Sequence, residues 1–129
     1  MSDIRSKRLS TGYETVAGQY RLLVINPNST VLLKNVVVFN ATGGPADVQM
    51  WLNNTSWIVP FVHQSFTDQG FFEWNGWIAM QDTDQLRIDF NANGVAWWVS
   101  GTLLEGTYDA TIVPLSSAST QPMNAGGPL

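Results

Sequence analysis

Few residues in this chain could perform nucleophilic or acid–base chemistry. Of its 129 residues one is histidine and none is cysteine, which excludes disulfides and thiolate metal sites. On paper, Ser65, His63 and Asp68 could supply a nucleophile, a general base and an orienting acid. Residues this close together at one strand end rarely point at one another, and the segment has no nucleophile elbow. We therefore interpret His63 as a surface or structural histidine.

The carboxylates offer two further kinds of chemistry. Asp68 and Glu73 flank a loop that contains phenylalanine, and two acids on either side of a sugar could hydrolyse a glycoside. Asp82 and Asp84, with Asp89 nearby, could hold a hard cation, but the segment lacks the pattern of an EF-hand loop. Acidic residues also favour turns because they bond their own backbone. The sequence therefore predicts a protein that is not an enzyme, with no catalytic residue, metal or cofactor.

The six tryptophans are the strongest binding feature of the chain. Residues 95–103 alternate as a strand, which places Trp97 among apolar residues on one face and Trp98 on the other. The same alternation places Trp51 with polar neighbours on an outward face. Flat amphipathic rings suit subunit interfaces. We predict interface contacts for Trp51, Trp57 and Trp98.

Sugar stacking is the alternative use of exposed aromatic rings. Trp74 and Trp77 flank Asn75-Gly76, a strong two-residue hairpin signal, so at least one of them is expected near a rim. In this alternative from another functional class, the protein is a carbohydrate-binding module with Phe72, Trp74 and Trp77 as its platform.

Composition favours permanent association. Charged residues make up 12% of the chain and hydrophobic residues 44%, whereas a soluble monomer usually carries about twice that charged share. The net charge is −4, yet Arg5, Lys7 and Arg8 place half of the basic residues in the first eight positions. Such an arm could bind an acidic neighbour. It is too short to predict nucleic-acid or membrane binding.

Short strands separated by Gly, Pro, Asn and Asp clusters account for most of the chain. They predict an all-β fold, an antiparallel, jelly-roll-like β-sandwich of about eight strands over residues 19–115. Residues 1–18 are predicted to form an extended arm and residues 116–129 a tail. The predicted core residues are Tyr20, Leu22, Val37, Phe39, Met50, Leu86, Ile88, Phe90, Trp97 and Val99.

No segment has the apolar length of a signal peptide or a membrane span. We expect synthesis in the cytoplasm without classical secretion.

The order of strands and turns over residues 20–105 resembles that of a known protein class. The segments that carry the resemblance are Leu22-Leu23-Val24-Ile25-Asn26-Pro27-Asn28, Val36-Val37-Val38-Phe39-Asn40-Ala41-Thr42-Gly43, Val48-Gln49-Met50-Trp51-Leu52, Trp77-Ile78-Ala79-Met80, Asp84-Gln85-Leu86 and Val99-Ser100-Gly101. It is similar to small β-sandwich structural proteins of tailed bacteriophages, which serve as capsid decoration (cement) proteins and as fibre or neck modules. The Gln81–Asp84 connection and the high tryptophan content depart from that pattern.

The resemblance implies a non-enzymatic virion protein. The expected function is that of a capsid decoration protein that binds the outer shell as a homotrimer and stabilises it through many contacts. Its expected partners are other copies of itself and the major capsid protein, with neither nucleic acid nor membrane, and its expected location is the virion. A neck, tail or fibre subunit is the alternative within the same class.

Overall fold

The computed structural model describes residues 7–115, and regular secondary structure there consists of β-strands alone. The ten strands are β1 (Lys7–Glu14), β2 (Gly18–Ile25), β3 (Thr30–Asn40), β4 (Ala46–Asn53), β5 (Ile58–Phe66), β6 (Gly70–Gln81), β7 (Gln85–Phe90), β8 (Val95–Glu105), β9 (Tyr108–Asp109) and β10 (Val113–Pro114). Within that range, no helix has the length and apolar character needed to cross a membrane.

The strands form two antiparallel sheets. Sheet 1 has the order β1-β8-β3-β6, and sheet 2 has the order β10-β2-β7-β4-β5, with β9 also paired to β2. Within the first eight strands, β1 pairs with β8, β2 with β7, β3 with β6 and β4 with β5, as in a long hairpin rolled up on itself. This is the strand order of a jelly roll. The prediction of an all-β antiparallel sandwich is confirmed.

The hydrophobic core lies between the two sheets. Every second residue is buried in β7 and in β8 from Val95 to Gly101, as the alternation predicts for a half-buried strand. The ring of Tyr20 stacks on Phe90 with 5.4 Å between centroids, and the ring of Trp97 is tilted by 32° to that of Tyr20 with centroids 6.5 Å apart. The predicted core residues confirmed as buried are Tyr20, Leu22, Met50, Leu86, Ile88, Phe90, Trp97 and Val99.

The core prediction is wrong in β3. Val37 and Phe39 were expected to face inward, but Val36 is fully buried while Phe39 is exposed. The pairing of β3 with both neighbours shifts by one residue between Leu33 and Asn35. A bulge of this kind moves every following side chain to the opposite face of the sheet. Phe39 therefore points away from the core.

The hairpin predicted at Asn75-Gly76 is also wrong. β6 continues through both residues and pairs with β3 along its length. Neither residue has the positive φ that a two-residue type I′ turn requires. Gly76 and Trp77 instead lie opposite the single residue Lys34, which is a β-bulge. Glycine is common at bulges as well as in turns, so the dipeptide alone could not distinguish the two.

The prediction that residues 1–18 form an extended arm is wrong for residues 7–14. Residues 7–14 form β1 and pair with β8, so the sandwich extends to Lys7. The hydroxyl of Thr11 donates a hydrogen bond to the carbonyl of Trp97 at 3.0 Å. An edge strand has a neighbour on one side only and needs few apolar residues, which hides it in sequence. Residues 1–6, which include Arg5, and the tail at 116–129 lie outside the described residues.

Candidate functional site

Exposed aromatic rings gather on the outer surface of sheet 1. In one row across the sheet, Tyr13 of β1 pairs with Ala96 of β8, Ala96 pairs with Phe39 of β3, and Phe39 pairs with Phe71 of β6. Phe71 is 66% exposed, and Tyr13 and Phe39 are also exposed. We call the side chains of Tyr13, Phe39, Phe71, Trp77 and Trp98 the outer aromatic face. Its rings lie on a hydrogen-bonded sheet, which fixes their spacing.

Trp98 lies in the next row of the same surface, where it pairs with Thr11 and Val37. It is 46% exposed, as its predicted outward orientation requires. Its indole Nε1 donates to the hydroxyl of Ser100 at 3.1 Å, and the guanidinium carbon of Arg8 lies 5.2 Å from its ring centroid. These contacts hold the ring in place before any partner binds. Beside it is a shallow apolar depression of about 190 Å³.

Trp77 extends the outer aromatic face along β6. The unbroken alternation of β6 places its side chain on the outer surface, where it is 74% exposed. The Lys34 ammonium lies 5.4 Å from its ring centroid. Between Trp77 and Phe71 the amide of Asn35 donates to Glu73 Oε2 at 2.6 Å. The face therefore combines apolar rings with a small polar cluster.

The carbohydrate platform predicted from sequence does not form as one surface. Phe72 and Trp74 are partly buried and pack against the core, and Trp74 meets Phe61 edge to face with 5.1 Å between centroids. Trp77 lies on the opposite side of the sheet, because β6 alternates without a break from Phe71 to Gln81. The three residues were expected together because the hairpin was expected, and the continuous strand separates them.

Trp51 does not reach a surface where a partner could touch it. Its alternation places it on the outer side of sheet 2, as predicted, but it is only 1% exposed. β4 is an interior strand, so Arg87 on β7 and Pro60 on β5 lie opposite Trp51 on its two sides. The interface prediction for Trp51 is therefore wrong. Lys7, Arg8 and Trp57 are exposed.

The structure does not assemble Ser65, His63 and Asp68 into a catalytic unit. The hydroxyl of Ser65 donates to Oδ1 of Asp47 on the neighbouring strand. Oδ1 of Asp68 accepts from the backbone amide of Gln69 at 2.7 Å. No hydrogen bond joins the three side chains within the described range. Nor do residues 7–115 contain a group of three or more His, Cys, Asp or Glu residues that could hold a metal ion.

Asp89 lies on the outer side of sheet 2 in a small groove of about 130 Å³ that His63 also lines. Burial raises the pKa of the Asp89 carboxyl above its ordinary value. We expect Asp89→Asn to raise the free energy of unfolding at neutral pH, because the native state holds this carboxyl in surroundings that disfavour its charge. Urea denaturation as a function of pH measures the difference.

The pH dependence of the gain in unfolding free energy shows whether burial of the Asp89 carboxyl causes it. With the folded-state pKa above the unfolded one, the native wild type binds more protons between the two values and loses stability as the pH rises through them. The gain from Asp89→Asn should be full above the folded-state pKa. It should vanish below the unfolded-state pKa of about 3.9, where the carboxyl is neutral in both states. A gain of equal size at acid and neutral pH would contradict burial as the cause.

Sequence reasoning missed Tyr13, Phe39 and Phe71 as surface residues. Phe71 carried a usable signal, since it alternates with the inward Phe72 once residues 70–81 are treated as one strand. Phe39 carried none, because the bulge that turns it outward depends on pairing with distant strands. Comparison with known proteins found no matching family model, no matching curated protein and no matching solved structure.

Proposed function

We propose that the protein is a non-enzymatic structural subunit of a tailed-phage virion, specifically a capsid decoration protein. The observation that carries the proposal is the outer aromatic face on sheet 1. A group of five exposed aromatic side chains on one face of a sheet is uncommon on soluble monomers and is typical of a surface that another protein covers. The low charged content of 12% also favours a chain that works in an assembly.

The assignment to a virion is supported by the sequence resemblance over residues 20–105. The jelly-roll strand order adds an analogy at the level of the fold, because viral capsid proteins are among the proteins that use it. Neck, tail and fibre subunits share the same kind of sandwich and form the alternative within this class.

In this proposal the outer aromatic face mediates contact between three copies of the chain. Arg5, Lys7 and Arg8 then contact an acidic surface of the major capsid protein. Arg8 lies beside Trp98, so the surface that contacts other copies and the surface that contacts the shell meet at one edge of sheet 1. Many weak contacts on a repetitive shell would combine into strong attachment.

The first test is the molar mass in solution, measured by light scattering during size-exclusion chromatography. We expect the wild type to elute at three times the chain mass of 14.2 kDa. Phe71→Glu is expected to elute as a monomer, because it places a charge within an apolar contact. Val59→Glu is the matched control: Val59 is also an exposed apolar side chain but lies on sheet 2. It should leave the trimer intact.

The second test addresses the shell. The wild type should co-sediment with expanded shells assembled from the major capsid protein encoded in the same genome, and Phe71→Glu should bind at least tenfold more weakly because it loses avidity. A monomeric wild type that also fails to co-sediment would overturn the proposal. So would a trimer that both glutamate variants leave unchanged.

A further inference from the structure

A polar pocket lies at one end of the sandwich, away from the outer aromatic face. Its volume is about 490 Å³, within the range of small-molecule sites. It is an open depression lined by the turns β2–β3, β4–β5 and β6–β7 and by the end of β8. The residues that line it are Asn28, Ser29, Thr30, Asn54, Trp57, Gln81, Asp82, Asp84 and Glu105. One aromatic ring thus stands in a wall otherwise made of amide, hydroxyl and carboxylate groups.

The buried carboxylate of Asp84 holds this wall in shape. Its Oδ1 accepts from the amide of Asn54 at 2.9 Å, and its Oδ2 accepts from the backbone amide of Gln81 at 2.8 Å. Oδ1 of Asn54 accepts in turn from the backbone amides of Ser56 and Trp57, at 2.7 and 3.3 Å. Two turns that are distant in sequence are therefore tied together, and the backbone that carries Trp57 is fixed.

Other polar groups of the wall remain available to a ligand. Asp82 uses Oδ1 to accept from the backbone amide of Asn28 at 2.7 Å, which leaves its second carboxylate oxygen. The side chains of Glu105, Gln81 and Asn28 are exposed and form no hydrogen bond with the described part of the chain. These groups supply several acceptors and two amide donors within one pocket.

We propose that this pocket binds the pyranose ring of a neutral saccharide. A sugar ring has an apolar C–H face that suits an aromatic side chain and hydroxyl groups that suit surrounding acceptors, which matches Trp57 and the polar wall. Hydroxyl donation to a carboxylate forms a short, charge-assisted bond. The three carboxylates of Asp82, Asp84 and Glu105 disfavour an anionic sugar by like-charge repulsion.

A cation is the competing occupant, and the geometry argues against it. Both oxygens of Asp84 are already used by Asn54 and Gln81. No carboxylate cluster suited to a metal is found in residues 7–115. The proposed saccharide site is independent of the proposed virion function, because it lies at the end of the sandwich and not on the outer aromatic face of sheet 1.

The test is a titration of the full chain, followed by ¹H–¹⁵N NMR of backbone and indole N–H groups. The probes are the methyl glycosides of glucose, galactose, mannose and N-acetylglucosamine, then lactose against sialyllactose, and CaCl₂ alone. We expect at least one neutral glycoside to shift the Trp57 indole saturably, with a dissociation constant on the order of 1 mM. Sialyllactose should bind at least tenfold more weakly than lactose.

Two variants locate the site. Trp57→Ala should lose at least tenfold in affinity, and Glu105→Gln should weaken binding while it preserves the fold, since its side chain is exposed. Val16→Ala is the control, because it shortens an exposed apolar side chain that neither lines the pocket nor belongs to the outer aromatic face, and it should bind the sugar as the wild type does. The proposal is overturned if no neutral glycoside shifts the indole at tens of millimolar, if Trp57→Ala binds normally, or if CaCl₂ alone shifts the pocket resonances.

Discussion

Replacement of Trp97 with alanine is expected to lower the free energy of unfolding by about 3–5 kcal/mol. The ring is buried between the sheets, beside Tyr20, and its Nε1 donates to the hydroxyl of Ser10 at 3.3 Å. A methyl group at Gly12 would lie 2.5 Å from Cζ2 of Trp97, so the edge strand β1 packs closely against this ring at a position where a side chain would collide with it. Alanine would leave a cavity that a sheet held by hydrogen bonds can close only in part. Equilibrium unfolding in urea gives the value.

The neighbouring residue supplies the control for this experiment. Trp98 has the same side chain, the same strand and the adjacent position, but it faces solvent. Trp98→Ala should change the free energy of unfolding by no more than about 0.5 kcal/mol in the monomeric state. Similar losses for the two variants would contradict the assignment of Trp97 to the core and Trp98 to the outer surface.

Gly101→Ala is expected to have an effect at least as large. A Cβ atom at this position would collide with the backbone carbonyl oxygen of Leu32 on β3. That oxygen is backbone of a paired strand, and it cannot turn aside as a flexible side chain could. We expect a loss of more than about 4 kcal/mol, or no cooperative unfolding transition at all. Circular dichroism during thermal unfolding detects either result.

Gly44→Ala is the matched glycine control. Gly44 lies in the loop between β3 and β4, and a Cβ atom there meets nothing within 4 Å. Its φ is not positive, so alanine can adopt its conformation without strain and should leave the melting temperature nearly unchanged or slightly higher. A folded Gly101→Ala protein with the wild-type melting temperature would refute the close approach of β8 to β3.

The fold class could be predicted from sequence because its signals are local. The alternation in β7 and β8 and the turn clusters between strands depend on neighbouring residues, and they were sufficient to predict an antiparallel sandwich. The bulges in β3 and β6 depend on pairing between strands far apart in sequence. A single shifted residue reversed the predicted orientation of Val37 and Phe39.

The same distinction applies to the candidate surfaces. Trp98 was correctly placed on the outside, because its own strand alternates regularly from Val95 to Gly101. The burial of Trp51 could not be predicted, since it depends on which strands flank β4. The pocket around Trp57 joins three turns from different parts of the chain, and only the tertiary structure brings them together.

The pairing of the first strand with the eighth has a consequence for the moment at which the protein can fold. Within residues 7–115, β1 pairs with β8 alone, and β8 lies between β1 and β3. The two inner strands of sheet 1 therefore cannot pair fully until synthesis has passed Glu105. Of the eight jelly-roll strands, only β4 and β5 are both partners and neighbours in sequence. Such a topology is slow to close, because distant segments must meet first. During synthesis, β3 therefore has no partner until β6 is made, β2 has none until β7 is made, and β1 has none in the described chain until β8 is made. In these intervals the apolar strands are exposed to chaperones and to other nascent chains.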